Sequence, residues 1–169
     1  SPDEGGAFVD KATELFVEKL GLKFEADGKP RIAGRVLAYL LVCREAQSLD
    51  ELAEVLRVSK GSVSSNARLL ERRGVVERVT RPGDRRDYYR ISDDLHVKFM
   101  DALLDRLRDM RDLLEIALLA PPAADPVVRD RIEAFATFFG EMLEAATASE
   151  AQWQTRKLEL HEPRAAAGS

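Results

Sequence analysis

The sequence predicts a mainly α-helical chain carrying one small β-hairpin, and three observations support that class. Apolar residues recur at steps of three and four along most of the 169 residues. Residues 75–91 switch instead to β-branched and aromatic residues around the turn signal Pro82-Gly83-Asp84. Capping residues, Gly and Pro fall at the joints between these patterns.

The elements follow in order. Residues 7–24 read as a first helix, with Phe8, Ala12 and Leu15 on one row and Val9, Thr13, Phe16 and Leu20 on the next. Asp27-Gly28-Lys29 breaks it, and Pro30 opens the next helix in its first turn, where a missing N–H is tolerated. That helix is expected to run to about Glu45. Ile32, Val36, Tyr39, Leu40 and Cys43 share one face with Leu37 and Leu41 beside it, so it should be central and buried. Ser48-Leu49-Asp50-Glu51 is a capping box opening a short helix over 49–56. Arg57-Val58 turns, Ser59 caps a second helix over 60–73, and Gly74 stops it after Arg72 and Arg73. Two short helices joined by a three-residue turn form a helix-turn-helix.

Val75–Arg81 and Asp87–Ile91 then pair as a hairpin with a basic tip, a wing on the preceding motif. Ser92-Asp93-Asp94 starts a long helix, with a capping hydroxyl and two acids in the first turn. Its seam is Met100, Leu103, Leu107, Met110, Leu114 and Ala117, and Pro121-Pro122 ends it. A last helix carries Val128, Ile132, Phe135, Phe139, Met142 and Ala146, and the same steps lead on to Trp153. Two seams of period 3.5 are expected to pack against partner helices at shallow angles.

Composition limits the function. With 45% apolar residues, 10 Gly, 7 Pro and one Cys, the chain suits one domain or two small ones and excludes collagen, wholesale disorder and a disulfide-stapled module. No apolar run approaches the ~20 residues a bilayer span needs, and a lone Cys without a secretory signal suggests a reducing, cytoplasmic setting. The net charge of −4 argues superficially against a nucleic-acid partner. Its distribution argues the other way. Residues 57–90 hold ten Lys and Arg against four acids, a local +6, so the remainder carries −10. A basic insert in an acidic chain is the footprint expected of phosphate neutralisation.

Along the second helix of the motif, Val63, Ala67 and Leu70 form the inward row. Gly61, Ser65, Arg68 and Arg72 fall opposite, with Ser62 and Ser64 on the flanks and Lys60 at the start. Small residues permit close approach to a groove, hydroxyls bond phosphates or base edges, and Arg can bond guanine bidentately. In the wing, Arg86 is the first candidate for a narrow minor groove with Arg85 close behind, Arg81 is a further DNA contact, and Asp84 is expected to be structural.

Other constellations point to little chemistry. Cys43 has no evident resolving partner and reads as a small core residue rather than an oxidant sensor. His96 and His161 lack companions at ligand spacing, so no metal is expected. Phe135, Phe138, Phe139 and Trp153 could line a pocket, although at helical spacing such residues are more often packing. No nucleophile–base pair, Gly-rich phosphate loop or paired-carboxylate motif occurs, so neither an enzyme nor a cofactor is expected.

Residues from Pro30 to about Ser92 resemble the MarR superfamily of winged-helix regulators, especially its GbsR-like branch. The stretches that carry the resemblance are Pro30-Arg31-Ile32-Ala33-Gly34-Arg35-Val36-Leu37, Ser48 to Arg57, Ser59-Lys60-Gly61-Ser62-Val63-Ser64 with Leu69-Leu70-Glu71-Arg72, and Gly83-Asp84-Arg85-Arg86-Asp87-Tyr88-Tyr89. Four residues separate Arg86 from Ile91-Ser92, one fewer than the family usually has there. The resemblance implies a homodimer with terminal helices at its interface, a recognition helix in the major groove and a wing at the minor groove. The expected organisation is an N-terminal arm and dimerisation helix (1–29), a winged helix-turn-helix (30–92), a C-terminal helical dimerisation region (93–161) and a loose tail (162–169). Phe8 and Leu15 would join the two C-terminal seams at the dimer interface.

The expected function is therefore a regulator, with repression the favoured sign, acting on a quasi-palindromic duplex at a bacterial or archaeal nucleoid. A small-molecule effector is among the expected partners, and a membrane is not. The rival reading is a winged-helix protein-interaction module that leaves DNA alone. Its mark would be a neutral or apolar recognition face, which this sequence lacks.

Overall fold

A computed structural model describes the backbone of residues 10–161 and side chains through Lys157. Phe8, expected at the interface, lies outside the described residues, as do the tail 162–169 and the part of the first expected helix before residue 10. The elements are α1 (Lys11–Ala26), α2 (Arg31–Val42), β1 (Gln47–Ser48), α3 (Leu49–Leu56), α4 (Lys60–Arg72), β2 (Val76–Val79), β3 (Tyr88–Ile91), α5 (Leu95–Leu118), a 3-10 turn (Pro121–Ala124) and α6 (Pro126–His161). The fold is mostly helical with one small antiparallel sheet, a winged helix-turn-helix with further helices on either side. Two compact units divide the chain between Lys98 and Phe99, within α5. Among the described residues no helix is long and apolar enough to cross a membrane.

The core of the first unit is built around α2, where Ala33, Val36, Leu37, Ala38 and Leu40 are buried. α1 packs on it, capped by Asp10, whose Oδ1 accepts from the amides of Ala12 and Thr13. The two helices meet closely at glycines. A Cβ on Gly34 would stand 2.7 Å from the Leu20 carbonyl oxygen and 2.8 Å from Phe24 Cγ. Arg35 ties three helices together, with Nε 2.8 Å from Glu18 Oε1 on α1 and Nη2 donating to the Leu56 carbonyl at the end of α3 at 2.9 Å.

α2 ends at Val42, three residues before the expected Glu45. Cys43 is thus the extended residue after the helix (φ −83°, ψ 132°) rather than part of its apolar face. The cause lies downstream: the chain leaves the helix so that Gln47 and Ser48 can pair with Tyr89 and Tyr88 as β1. A two-residue strand has no periodicity of its own, and the sequence pattern therefore did not contain it. Cys43 remains half-buried, and burial pushes its thiol up, leaving it protonated and weakly nucleophilic at neutral pH. Burial, with Cys43 adjacent, likewise pushes the Tyr39 hydroxyl up to about 12.

The capping box forms as the spacing requires: Ser48 Oγ accepts from the Glu51 amide, and Glu51 Oε2 accepts from the Ser48 amide at 2.6 Å. The sheet order is β1-β3-β2, with Val76 opposite Ile91 and Val79 opposite Tyr88. Ser92 stands ahead of α5 rather than at its cap. Its hydroxyl donates to Glu77 at 3.2 Å and accepts from the Asp94 amide.

In the second unit, Leu104 and Leu107 are the buried side chains of α5. Pro121-Pro122 does end the helix region and builds a 3-10 turn whose Ala123 is buried. Asp125 then caps α6 by accepting from the amides of Val127 and Val128. Phe138 and Phe139 meet edge-on at 5.5 Å, and Phe139 meets Phe135 at 5.1 Å.

Candidate nucleic-acid interface

α4 divides into two faces. Val63, Ala67 and Leu70 are fully or almost fully buried and belong to the core. Gly61, Ser65, Arg68 and Arg72 are exposed, while Ser62 and Ser64 are partly so. The helix starts on Ser59, whose Oγ accepts from the Ser62 amide, and the chain passes Gly74 at φ +70° after its end. A Cβ on Gly61 would meet nothing within 4 Å, so the space over the start of the helix is open. Ser65 donates to the Gly61 carbonyl at 3.0 Å, and Arg68 donates to Ser64 Oγ at 2.7 Å. The Lys60 ammonium lies 2.7 Å from Asp50 Oδ1, across the turn of the motif.

The wing is organised by two adjacent tyrosines. Tyr89 points into the core; Tyr88 lies on the opposite face of β3 and is equally buried. The Arg81 guanidinium covers the Tyr88 ring at 3.9 Å and donates to the Ala46 carbonyl at 2.8 Å. Tyr88 Oη donates to Asp84 Oδ2 at 2.6 Å. Asp84 also accepts from Arg86, through the amide at 2.9 Å and the guanidinium at 2.7 Å. Gly83 takes φ +78° in the turn before it. Among the described residues Arg85 has no ion pair and stands exposed at the tip.

The Arg86 side chain first, then Tyr88, hold the Asp84 carboxyl well below the usual carboxylate range. Folding therefore favours its ionised form. The stability this contributes is complete above the unfolded aspartate pKa of ~3.9 and is lost as the pH falls from there towards the lower folded value. The Asp84 carboxyl carbon should accordingly keep the NMR shift of an ionised group at about pH 3.5, where an ordinary aspartate is mostly protonated. A midpoint near 3.9 would mean that the wing network does not form in solution.

Three features of the site were not legible in the sequence: the Lys60–Asp50 pair, the Arg81 cover over Tyr88, and Arg78 held between Glu71 at 3.3 Å and Asp87 at 3.6 Å. Each joins residues brought together only by the turn or the sheet. The Glu77–Arg90 pair at 2.9 Å was implicit, because the two are opposite each other once the hairpin register is set.

A family model described as the MarR family matches residues 28–87, which span α2 to the wing. The chain is 39% identical over 112 residues to the HTH-type transcriptional regulator MmpR5 of Mycobacterium tuberculosis, covering 66% of this chain and 68% of that protein. The chain belongs to the MarR family. Among solved structures, a transcriptional regulator superposes with a TM-score of 0.64 at 34% identity, over 85% of this chain and 99% of its own. A further relative is the HTH-type transcriptional repressor OpcR of Bacillus subtilis, 28% identical over 134 residues, 70% of this chain and 72% of OpcR. As a MarR-family transcriptional regulator, the chain carries its helix-turn-helix in α3 and α4 and its wing in the β2–β3 hairpin.

The terminal-helix residues are placed as follows. Leu15, Leu103, Met110, Phe135 and Met142 are exposed. Met100, Leu114, Ile132 and Phe139 are partly buried, and Leu107 is buried within the single chain. Leu113 and Ile116, outside the predicted seam, are exposed by 59% and 64%. Among the described residues no group of three or more His, Cys, Asp or Glu is arranged to hold a metal ion.

Proposed function

We propose that this MarR-family chain is a homodimeric, ligand-responsive repressor of the GbsR-like branch. α4 enters the major groove of a quasi-palindromic operator, and the wing lies at the minor groove. The observation that carries the DNA reading is the exposed face of α4, where Ser65, Arg68 and Arg72 follow one another along the helix from the open space above Gly61 while the apolar row beneath is consumed by the core. Lys60, Ser62 and Ser64 extend that face. Arg81, Arg85 and Arg86 supply the wing, and Asp84 fixes its tip. The repressor reading is supported by the similarity to OpcR, which is described as a transcriptional repressor. Exposed Leu103, Met110, Phe135 and Met142 support a dimer, because large apolar side chains at helical spacing call for a covering surface. Two copies would place their readers about one DNA turn, ~34 Å, apart.

Binding to a random duplex, titrated with salt, tests the reading. Affinity should fall steeply between about 50 and 200 mM salt as several phosphates are neutralised. Absence of binding at low salt would overturn it in favour of a protein-interaction module. Sedimentation at micromolar concentration should give twice the 18.9 kDa chain mass; a monomer would remove the interface.

A further inference from the structure

The cations of the reader differ in how they are held. Asp84 grips Arg86 within the wing tip, and Glu77 lies opposite Arg90 in the sheet. Those pairs are part of the hairpin's own construction. Lys60 is different. It makes one 2.7 Å contact with Asp50, from the first turn of α4 to the first turn of α3, and 60% and 56% of the two side chains remain exposed. The contact sits at the amino end of the reading helix, where free amides and helix dipole favour an anion. Asp50 therefore occupies the lysine's coordination in the manner of a phosphate oxygen.

We propose that Asp50 is a specificity-determining residue that keeps Lys60 out of sequence-independent contacts with duplex DNA. This rests on the DNA-binding reading above. Exposed ion pairs are weak, within about fivefold in an equilibrium constant. A duplex docked squarely on α4 aligns a phosphate with Lys60 and displaces Asp50. Loose encounters with random sequence hold no phosphate in that position, and Lys60 stays on its carboxylate. Asp50 thus withholds one cation from the salt-sensitive part of binding and releases it on docking.

The experiment measures affinity for a random-sequence duplex as a function of salt. Asp50→Asn should tighten binding about twofold to fivefold at low salt and steepen the slope of log K against log salt by ~0.9, the increment for one more phosphate. The Asp50→Asn, Lys60→Gln double variant should lose that added steepness and return to the wild-type slope. Glu54→Gln removes the same charge from α3, and its carboxylate has no ion pair among the described residues; it should leave the slope unchanged. Thermal melts establish that each variant is folded. An unchanged slope in Asp50→Asn, an equal response in Glu54→Gln, or steepening that survives the loss of Lys60 would overturn the proposal while leaving DNA binding intact. A wild-type chain that binds no duplex at low salt would overturn both.

Discussion

Gly34→Val is expected to destabilise the first unit strongly. The β-carbon alone would stand 2.7 Å from the Leu20 carbonyl oxygen and 2.9 Å from Phe24 Cβ, and the first of these is backbone that no rotamer change can move. The helices must separate, loosening Val17 and Phe24 on one side and Val36 and Leu37 on the other. Overpacking of a well-fitted core costs roughly 1–3 kcal/mol, and displacement of backbone puts this site at or above the upper end. For a chain of this size that corresponds to a fall in Tm of roughly 6–12 °C. Gly28→Ala is the contrasting variant. It too alters a glycine beside α1 and α2, but nothing lies within 4 Å of its added carbon, and only the φ of +71° is strained. Its loss should stay near 1 kcal/mol, of the order for an L residue held in the left-handed region. Equal melting temperatures for the two variants would mean that the close α1–α2 contact is absent in solution.

Arg68→Ala and Arg86→Ala should separate base reading from backbone binding. Arg68 projects from the exposed face of α4 and is steadied by Ser64 at 2.7 Å, placing its guanidinium over the middle of the helix that faces DNA in the proposed docking. A bidentate Arg–guanine contact discriminates by ~1–3 kcal/mol, so Arg68→Ala should flatten preference among sequences selected from a random pool. Arg86 is anchored to Asp84 at the wing tip, and its removal frees that carboxylate as well as deleting a cation. Arg86→Ala should weaken binding on most sequences and reduce the salt slope by ~0.9. Selection and sequencing of retained fragments reads the first effect, and fluorescence anisotropy reads the second. Negligible changes in both variants would refute the docking.

Legibility in the sequence followed the range of the interaction. Helices α3 and α4 were readable nearly to the residue, because Ser48, Glu51, Ser59 and Gly74 act on amides and dihedrals within a few positions of themselves. The inward row of α4 was equally plain from its period. The end of α2 was not, because Cys43 leaves the helix to serve a strand pairing more than forty residues away. The seam of α5 was readable as a pattern, but which members a single chain buries depends on tertiary packing: Leu104, off the seam, is buried, and Leu103, on it, is exposed. In the site, residue types and spacing identified the cations. Their partners, Asp50 for Lys60 and the Tyr88 ring for Arg81, come from a turn and from a sheet register that no local rule encodes.

The pairing of charges also bears on how quickly the protein finds a duplex. A cation held beside a carboxylate presents a dipole, whose field decays faster than that of a lone charge, and at physiological salt the screening length is only ~8 Å. Lys60, Arg78, Arg86 and Arg90 are therefore nearly silent at a distance. Within the reader, the long-range pull falls to exposed arginines without carboxylate partners among the described residues: Arg68 and Arg72 on the helix, Arg73 at its end, and Arg81 and Arg85 in the wing. In the proposed docking these five steer encounter, and the paired cations come into play only after contact, in the lifetime of the complex rather than its rate of formation.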